Sequence, residues 1–360
     1  MRSALCDSLR TLCVLCGSHV SFTAKNAKNP QINARKYIQS SNLDQYPEKW
    51  RLCARGSEVI LSFMKFAKMT MRCAAHVASV VSLIFAGTIL ARQPHTLTGD
   101  IRFHKSFHSK ILNNDRDVVV YLPPGYESNK NKRYAVLYLH DGQNLFDGAT
   151  SFIPGKEWRV DETAQSLITA GKIEPLIIVG IYNAGKARID EYTPAADEKY
   201  KMGGKADLYG RMLVEELKPF IDTTYRTRKD AEHTGLGGSS LGGIVSLYLA
   251  LKYSDVFGRV AVVSPSVWFA NKQIVHYAEA LKKKPKTRIW LDMGTKEGGT
   301  AKDAQQAVTD ARLLKDTLRK KGWKPGKDLS YFEAEAAEHN ETAWAARVEP
   351  ILKFLFPPRM

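Results

Sequence analysis

Gly238-Ser239-Ser240-Leu241-Gly242 is a G-x-S-x-G pentapeptide set between a short strand-like run, Glu232 to Gly238, and a helix-like run, Leu241 to Tyr253. A strand that turns sharply into a helix holds the middle serine at the tip of the turn. A histidine can then reach it and take the hydroxyl proton, without which serine is a poor nucleophile. Small residues on both sides permit so tight a turn. Ser240 is therefore the candidate nucleophile. Gly-Ser runs are common in loops, so the pentapeptide draws its meaning from the strand before it and the helix after it.

Outward from this point the pattern is regular. Strand-like runs occupy Ile101 to Ser109, Val118 to Leu122, Tyr134 to His140, Leu176 to Ile181, Val260 to Val263, Thr287 to Met293 and Leu329 to Ala334. Most are short and continuously apolar, as strands buried on both faces must be. Helical candidates lie between them at Trp158 to Ala170, Tyr209 to Ile221, Leu241 to Tyr253, Lys302 to Lys321 and Thr342 to Phe356. This alternation predicts an α/β protein with a mainly parallel central sheet and helices on both faces. No helix separates the first two strands, so they are expected to form an antiparallel edge. The irregular stretch from Tyr182 to Leu208 is the candidate for a loop over the site.

A serine nucleophile needs a histidine base, a carboxylate to orient it and backbone donors for the oxyanion, with the chain order serine, acid, histidine in this architecture. Of the histidines after Ser240, His276 falls in a polar helical segment and His339 in Glu338-His339-Asn340-Glu341, between a strand and the last helix. A loop there would hold His339 above the nucleophile. For the acid, Asp292 lies within the strand that ends near Met293, whereas Glu297 lies past the strand end and can point into the site. Glu297 is preferred, with Asp292 as the alternative, because a carboxylate inside a strand needs a specific partner to tolerate burial. The N–H of Leu241 and that of Gln143, in the loop His140 to Phe146, are the expected oxyanion donors, with Gly142 permitting the turn. No ligand set of suitable spacing accompanies His140 and Asp141, so neither a metal nor a cofactor is expected.

The 44% hydrophobic content is ample for a buried core. The net charge of +16 invites a nucleic-acid reading, but residues 1–91, with twelve Lys/Arg and four Asp/Glu, hold half of the excess. No zinc-finger, helix-turn-helix or aromatic-basic signature accompanies the rest, so nucleic acid is not an expected partner. All five cysteines (Cys6, Cys13, Cys16, Cys53 and Cys73) precede residue 92, and the Cys13–Cys16 spacing lacks any second pair. From Met64, a basic start (Lys65, Lys68, Arg72) leads into the apolar stretch Ala74 to Ala91. It reads as a signal peptide cleaved near Ala91, with an uncleaved membrane anchor as the alternative. Residues 1–63 carry no motif and are expected to be disordered or an over-extended reading frame, which leaves 92–360 as one domain, exported to the periplasm or beyond.

Four segments together resemble the esterase family of α/β-hydrolases that includes enterochelin esterase-like proteins, feruloyl and acetyl xylan esterases, S-formylglutathione hydrolases and mycolyltransferases. They are Val120 to Tyr126, Leu137 to Phe146, Gly238 to Gly243 and His339 to Trp344. The resemblance implies the α/β-hydrolase fold, with Ser240 as nucleophile, Glu297 as acid, His339 as base, and Leu241 and Gln143 as oxyanion donors. The stretch Val179 to Arg188, followed by Glu191-Tyr192-Thr193-Pro194, is similar to the enterochelin esterase subgroup, although no separate amino-terminal domain of that type is expected from residues 1–91. Arg188, Asn183 and Trp158 are candidate substrate contacts. The expected activity is hydrolysis of a carboxylic ester, on a small molecule, a glycan or a siderophore, through an acyl-enzyme. Acyl transfer to a bound alcohol, and a binding protein without turnover, are the alternatives.

Overall fold

The computed structural model describes residues 94–358. These fall within the second of two units into which the chain divides, Ala91–Met360. The signal segment expected at 64–91 and the stretch 1–63 lie outside the described residues.

The strands are β1 (Asp100–Ser109), β2 (Asn114–Leu122), β3 (Ala135–His140), β4 (Leu176–Ile181), a two-residue pair β5 (Ala196–Asp197) and β6 (Met202–Gly203), β7 (Thr234–Ser239), β8 (Arg259–Val263), β9 (Arg288–Gly294) and β10 (Leu329–Ala334). Eight of them form one sheet in the order β1-β2-β4-β3-β7-β8-β9-β10. From β4 to β10 every pairing is parallel, while β2 runs antiparallel to both β1 and β4. The fold is thus the mainly parallel α/β-hydrolase sheet with an antiparallel edge.

The continuous apolar runs are explained by burial on both faces. Along β2, Val118, Val120 and Leu122 enter one core layer, while Val119 and Tyr121 enter the other. Side chains alternate with a period of two, so such a strand can hold no polar position without burying it. The helices that seal the faces are α1 (Val160–Thr169), α2 (Ala206–Thr224), α3 (Leu241–Lys252), α4 (Phe269–Ala280), α5 (Ala301–Lys320) and α6 (Glu341–Leu355).

Two local features depart from the expected pattern. The helix expected at Tyr209 to Ile221 is interrupted by a π-helical segment, Met212–Leu217, before Lys218–Thr224. Pro219 has no N–H to give to the carbonyl four residues back, and a wider turn before it absorbs that defect. The stretch from Tyr182 to Leu208 also has structure of its own. It holds a single helical turn at Arg188–Glu191 and the β5–β6 pair, and it reaches α4 through Ala270 N–H, which donates to Asp197 Oδ2 at 2.9 Å.

Candidate active site

The carboxyl ends of β3, β7, β8, β9 and β10 open onto one edge of the sheet, where loops rather than strands face the solvent. β7 ends at Ser239, and α3 begins at Leu241. Ser240 alone makes the turn, with φ 60° and ψ −122°, a backbone conformation that costs a non-glycine residue on the order of 1–3 kcal/mol. The surroundings hold it there: Ser240 N–H donates to Val263 O at 3.0 Å, and its carbonyl accepts from Ser266 N–H at 3.1 Å. Gly238 is small for a contact reason, since a Cβ there would stand 3.1 Å from the His140 side chain, whereas a Cβ at Gly242 would meet nothing closer than 3.5 Å. The Ser240 hydroxyl lies 3.0 Å from the Ser266 hydroxyl.

His339 sits in the loop between β10 and α6 and is partly open to solvent. Its Nδ1 lies 2.7 Å from Glu297 Oε2. A carboxylate only accepts, so Nδ1 carries the proton and Nε2 is left as the basic nitrogen. Ser240, Glu297 and His339 line one cavity of about 520 Å³.

Glu297 is buried, with 3% of its surface exposed, and its other oxygen is fully engaged. Oε1 accepts from Gly294 N–H at 2.7 Å and from the Ser264 hydroxyl at 2.5 Å. Ser264 Oγ in turn accepts from Trp344 Nε1 at 3.0 Å and Arg347 Nη2 at 3.1 Å. Asp292 lies deeper and does not touch His339. It accepts from Arg347 Nη1 at 2.7 Å, Trp290 Nε1 at 2.6 Å and Ser264 N–H at 3.1 Å. Burial pushes its carboxyl up to about 6, and the Arg347 guanidinium opposes that shift. The two carboxylates therefore have different surroundings, since one faces the imidazole and the other pairs with a buried guanidinium. Sequence reasoning does not single out Arg347 or Ser264, although Ser264-Pro265-Ser266 directly follows an apolar strand run, which is the available signal.

The loop after β3 turns through Asp141, whose φ is 57° and ψ 47°, into a 3₁₀ turn at Gly142–Asn144. The left-handed residue is Asp141 rather than Gly142. Glycine is required at 142 because a Cβ there would lie 2.6–2.8 Å from the β4 backbone at Gly180 and Ile181. Gly142→Ala should lower stability by about 1–3 kcal/mol and shift the loop. A lower urea midpoint together with a lower kcat would show both effects. The N–H groups of Leu241 and Gln143 donate to no acceptor among the described residues.

The three expected substrate contacts are otherwise engaged, and none of them lines the cavity. Arg188 clasps Asp141 through Nε and Nη2, both at 2.7 Å, and Asn183 Nδ2 donates to the same carboxylate at 2.7 Å. They brace the loop that carries Gln143. Trp158 is buried, its ring 5.6 Å from that of Trp344, so it is a core residue behind the histidine loop. His276 is exposed on α4, 3.4 Å from Glu279.

His140 is 1% exposed. Its Nδ1 meets the Tyr209 hydroxyl at 2.9 Å, its Nε2 has no partner among the described residues, and burial lowers its pKa from 6.5 to about 3. Between those values an unfolded chain binds a proton that the folded chain refuses, so stability falls as pH drops from about 6.5 towards 3. His140→Gln should flatten that slope by up to one proton. Urea unfolding between pH 7 and 4 measures it, and an unchanged slope would rule the imidazole out as its source. Among the described residues no group of three or more His, Cys, Asp or Glu side chains could hold a metal, and no helix is long and apolar enough to cross a membrane.

The family model described as "Putative esterase" matches residues 109–355. The chain is 31% identical over 258 residues to the uncharacterized protein YjcH of Bacillus subtilis, covering 69% of this chain and 95% of that one. It is 26% identical over 211 residues to the iron(III) salmochelin esterase of Escherichia coli, covering 54% of this chain and 46% of that one. Among solved structures, the BES protein from Bacillus cereus aligns with a TM-score of 0.56 at 22% identity, covering 72% of this chain and 96% of that one, a likeness that speaks to the fold. By the family match over most of its length, the chain belongs to the "Putative esterase" family and is a hydrolase that acts on ester bonds.

Proposed function

We propose that the chain is an exported serine esterase that works through an acyl-enzyme. The observation that carries this reading is the strained backbone of Ser240, held at the mouth of α3 in the same cavity as a histidine whose Nδ1 is fixed by a buried carboxylate. In this mechanism Ser240 Oγ attacks the ester carbonyl carbon as His339 Nε2 takes its proton. The imidazolium, steadied by Glu297, then protonates the departing alcohol, and water activated by the same nitrogen releases the acid. The free N–H groups of Leu241 and Gln143 are the donors for the oxyanion, one from the first turn of a helix and one from the loop that Arg188 and Asn183 brace through Asp141. These steps call on no metal or organic cofactor. The basic start and apolar stretch from Met64 to Ala91 support export. The salmochelin esterase relative makes siderophore esters one substrate class to try, beside glycan esters.

A fluorophosphonate probe should form a covalent adduct, located by peptide mass spectrometry at Ser240. An active protein that stays unlabelled, or is labelled elsewhere, would overturn the assignment. N-terminal sequencing of the protein recovered from outside the cytoplasm should begin near residue 92.

A further inference from the structure

The cavity that holds Ser240 and His339 has a second polar end on α5. Asp310 lines it and is 2% exposed. Its Oδ1 accepts from Gln306 Nε2 at 2.8 Å and from Lys272 Nζ at 2.7 Å. Oδ2 has no partner among the described residues and is not sealed from solvent, on a residue that lines the cavity. Water completes this oxygen while the cavity is open, and a substrate that displaces the water must itself donate to the carboxylate or leave it unpaired.

The backbone around Lys272 is built to deliver its ammonium. Ala270, Asn271 and Lys272 have φ of 45°, 52° and 62°, three successive left-handed residues that each cost roughly 1–2 kcal/mol. The Asp197 carboxylate holds the first of them through its N–H. Strain of this kind persists where the surrounding structure over-determines it, and it gathers at ligand-binding sites. Because Lys272 already balances the charge of Asp310, the complement of Oδ2 is a neutral donor rather than a second cation.

We infer that Asp310 accepts a hydrogen bond from a free hydroxyl on the ester substrate, an inference that rests on Ser240 and His339 being the reacting pair of this cavity. Enzymes that bond a substrate hydroxyl discriminate against the analogue without it, because the buried polar group is then left unpaired. A hydrogen bond to a charged acceptor sets that preference at roughly 10- to 100-fold in kcat/KM.

Two matched pairs of esters test this: methyl 4-hydroxycinnamate against methyl cinnamate, with the hydroxyl on the acyl side, and glyceryl monobutyrate against propyl butyrate, with it on the alcohol side. The native chain should prefer the hydroxylated member of one pair by about tenfold or more, and the pair that responds locates the hydroxyl. Asp310→Leu, which keeps the branched shape and removes the acceptor, should bring that ratio close to one. Lys272→Met, which retains the carboxylate, should keep the ratio well above one. No preference in either pair, a preference that survives Asp310→Leu, or an equal loss of it in both variants would overturn the inference. Hydrolysis of the plain esters that disappears in Ser240→Ala would uphold the reacting pair in any of these cases, so the two readings fail separately.

Discussion

Ser240→Ala should lower kcat by about 10⁵- to 10⁶-fold while leaving the thermal unfolding midpoint within a few degrees of the native value. The loss is large because no other group in the cavity can replace the nucleophile: Ser266 Oγ is 3.0 Å from Ser240 Oγ but belongs to another loop and lacks the outward turn. The fold tolerates the change because alanine removes only a hydroxyl. It also keeps the same strained backbone, which neighbouring contacts of the main chain impose. Steady-state hydrolysis of a short-chain aryl ester, with a melting curve on the same sample, checks both halves. Residual activity within tenfold of the native enzyme would remove Ser240 from the mechanism.

The second large effect separates two carboxylates five residues apart. Glu297→Gln should lower kcat by about 10³- to 10⁴-fold, because an amide in place of the carboxylate no longer selects the imidazole tautomer whose Nε2 is basic. Its cost in stability should be the smaller part. Asp292→Asn should do the reverse. It leaves the Arg347 guanidinium, 2% exposed at the side chain, without its closest charged partner. Removing one member of a buried ion pair costs about 3–5 kcal/mol. At pH 8, where the native Asp292 is ionised, urea denaturation should show that loss, while kcat/KM on the fraction that remains folded changes by less than about tenfold. The reverse pattern, with activity lost at Asp292 and stability lost at Glu297, would exchange the two assignments.

The fold was legible because the buried parallel strands leave a simple record: four to seven apolar residues, a turn, then a helix of three or more turns. Glu297 was legible as the carboxylate free to leave the strand because it lies beyond the last residue of β9. What was not legible has a common cause. Arg347 and Ser264 come from α6 and the end of β8, and only tertiary packing brings them to Asp292 in β9 as the partners that its burial requires. A single arginine in a helix of mixed composition reads as solvated until its partners are known. Trp158 and Arg188 illustrate the converse. Each has the chemistry of a substrate contact, yet one is walled in by Trp344 and the other is held by Asp141. Burial and prior pairing set these surroundings, and neither leaves a periodic trace along the chain.

The guanidinium of Arg347 reaches Asp292, Ser264 and, at 3.6 Å, Glu297. Replacing a buried ion pair by well-packed apolar residues often makes a protein more robust. Here the same exchange would remove the guanidinium that stands near the carboxylate facing His339 and that also donates to Ser264, the hydroxyl that carboxylate accepts from. A heat-resistant variant obtained by redesigning this part of the interior should therefore be a slower enzyme, and stabilising changes that leave the rate intact should instead be found on the side of the sheet around β1 and β2.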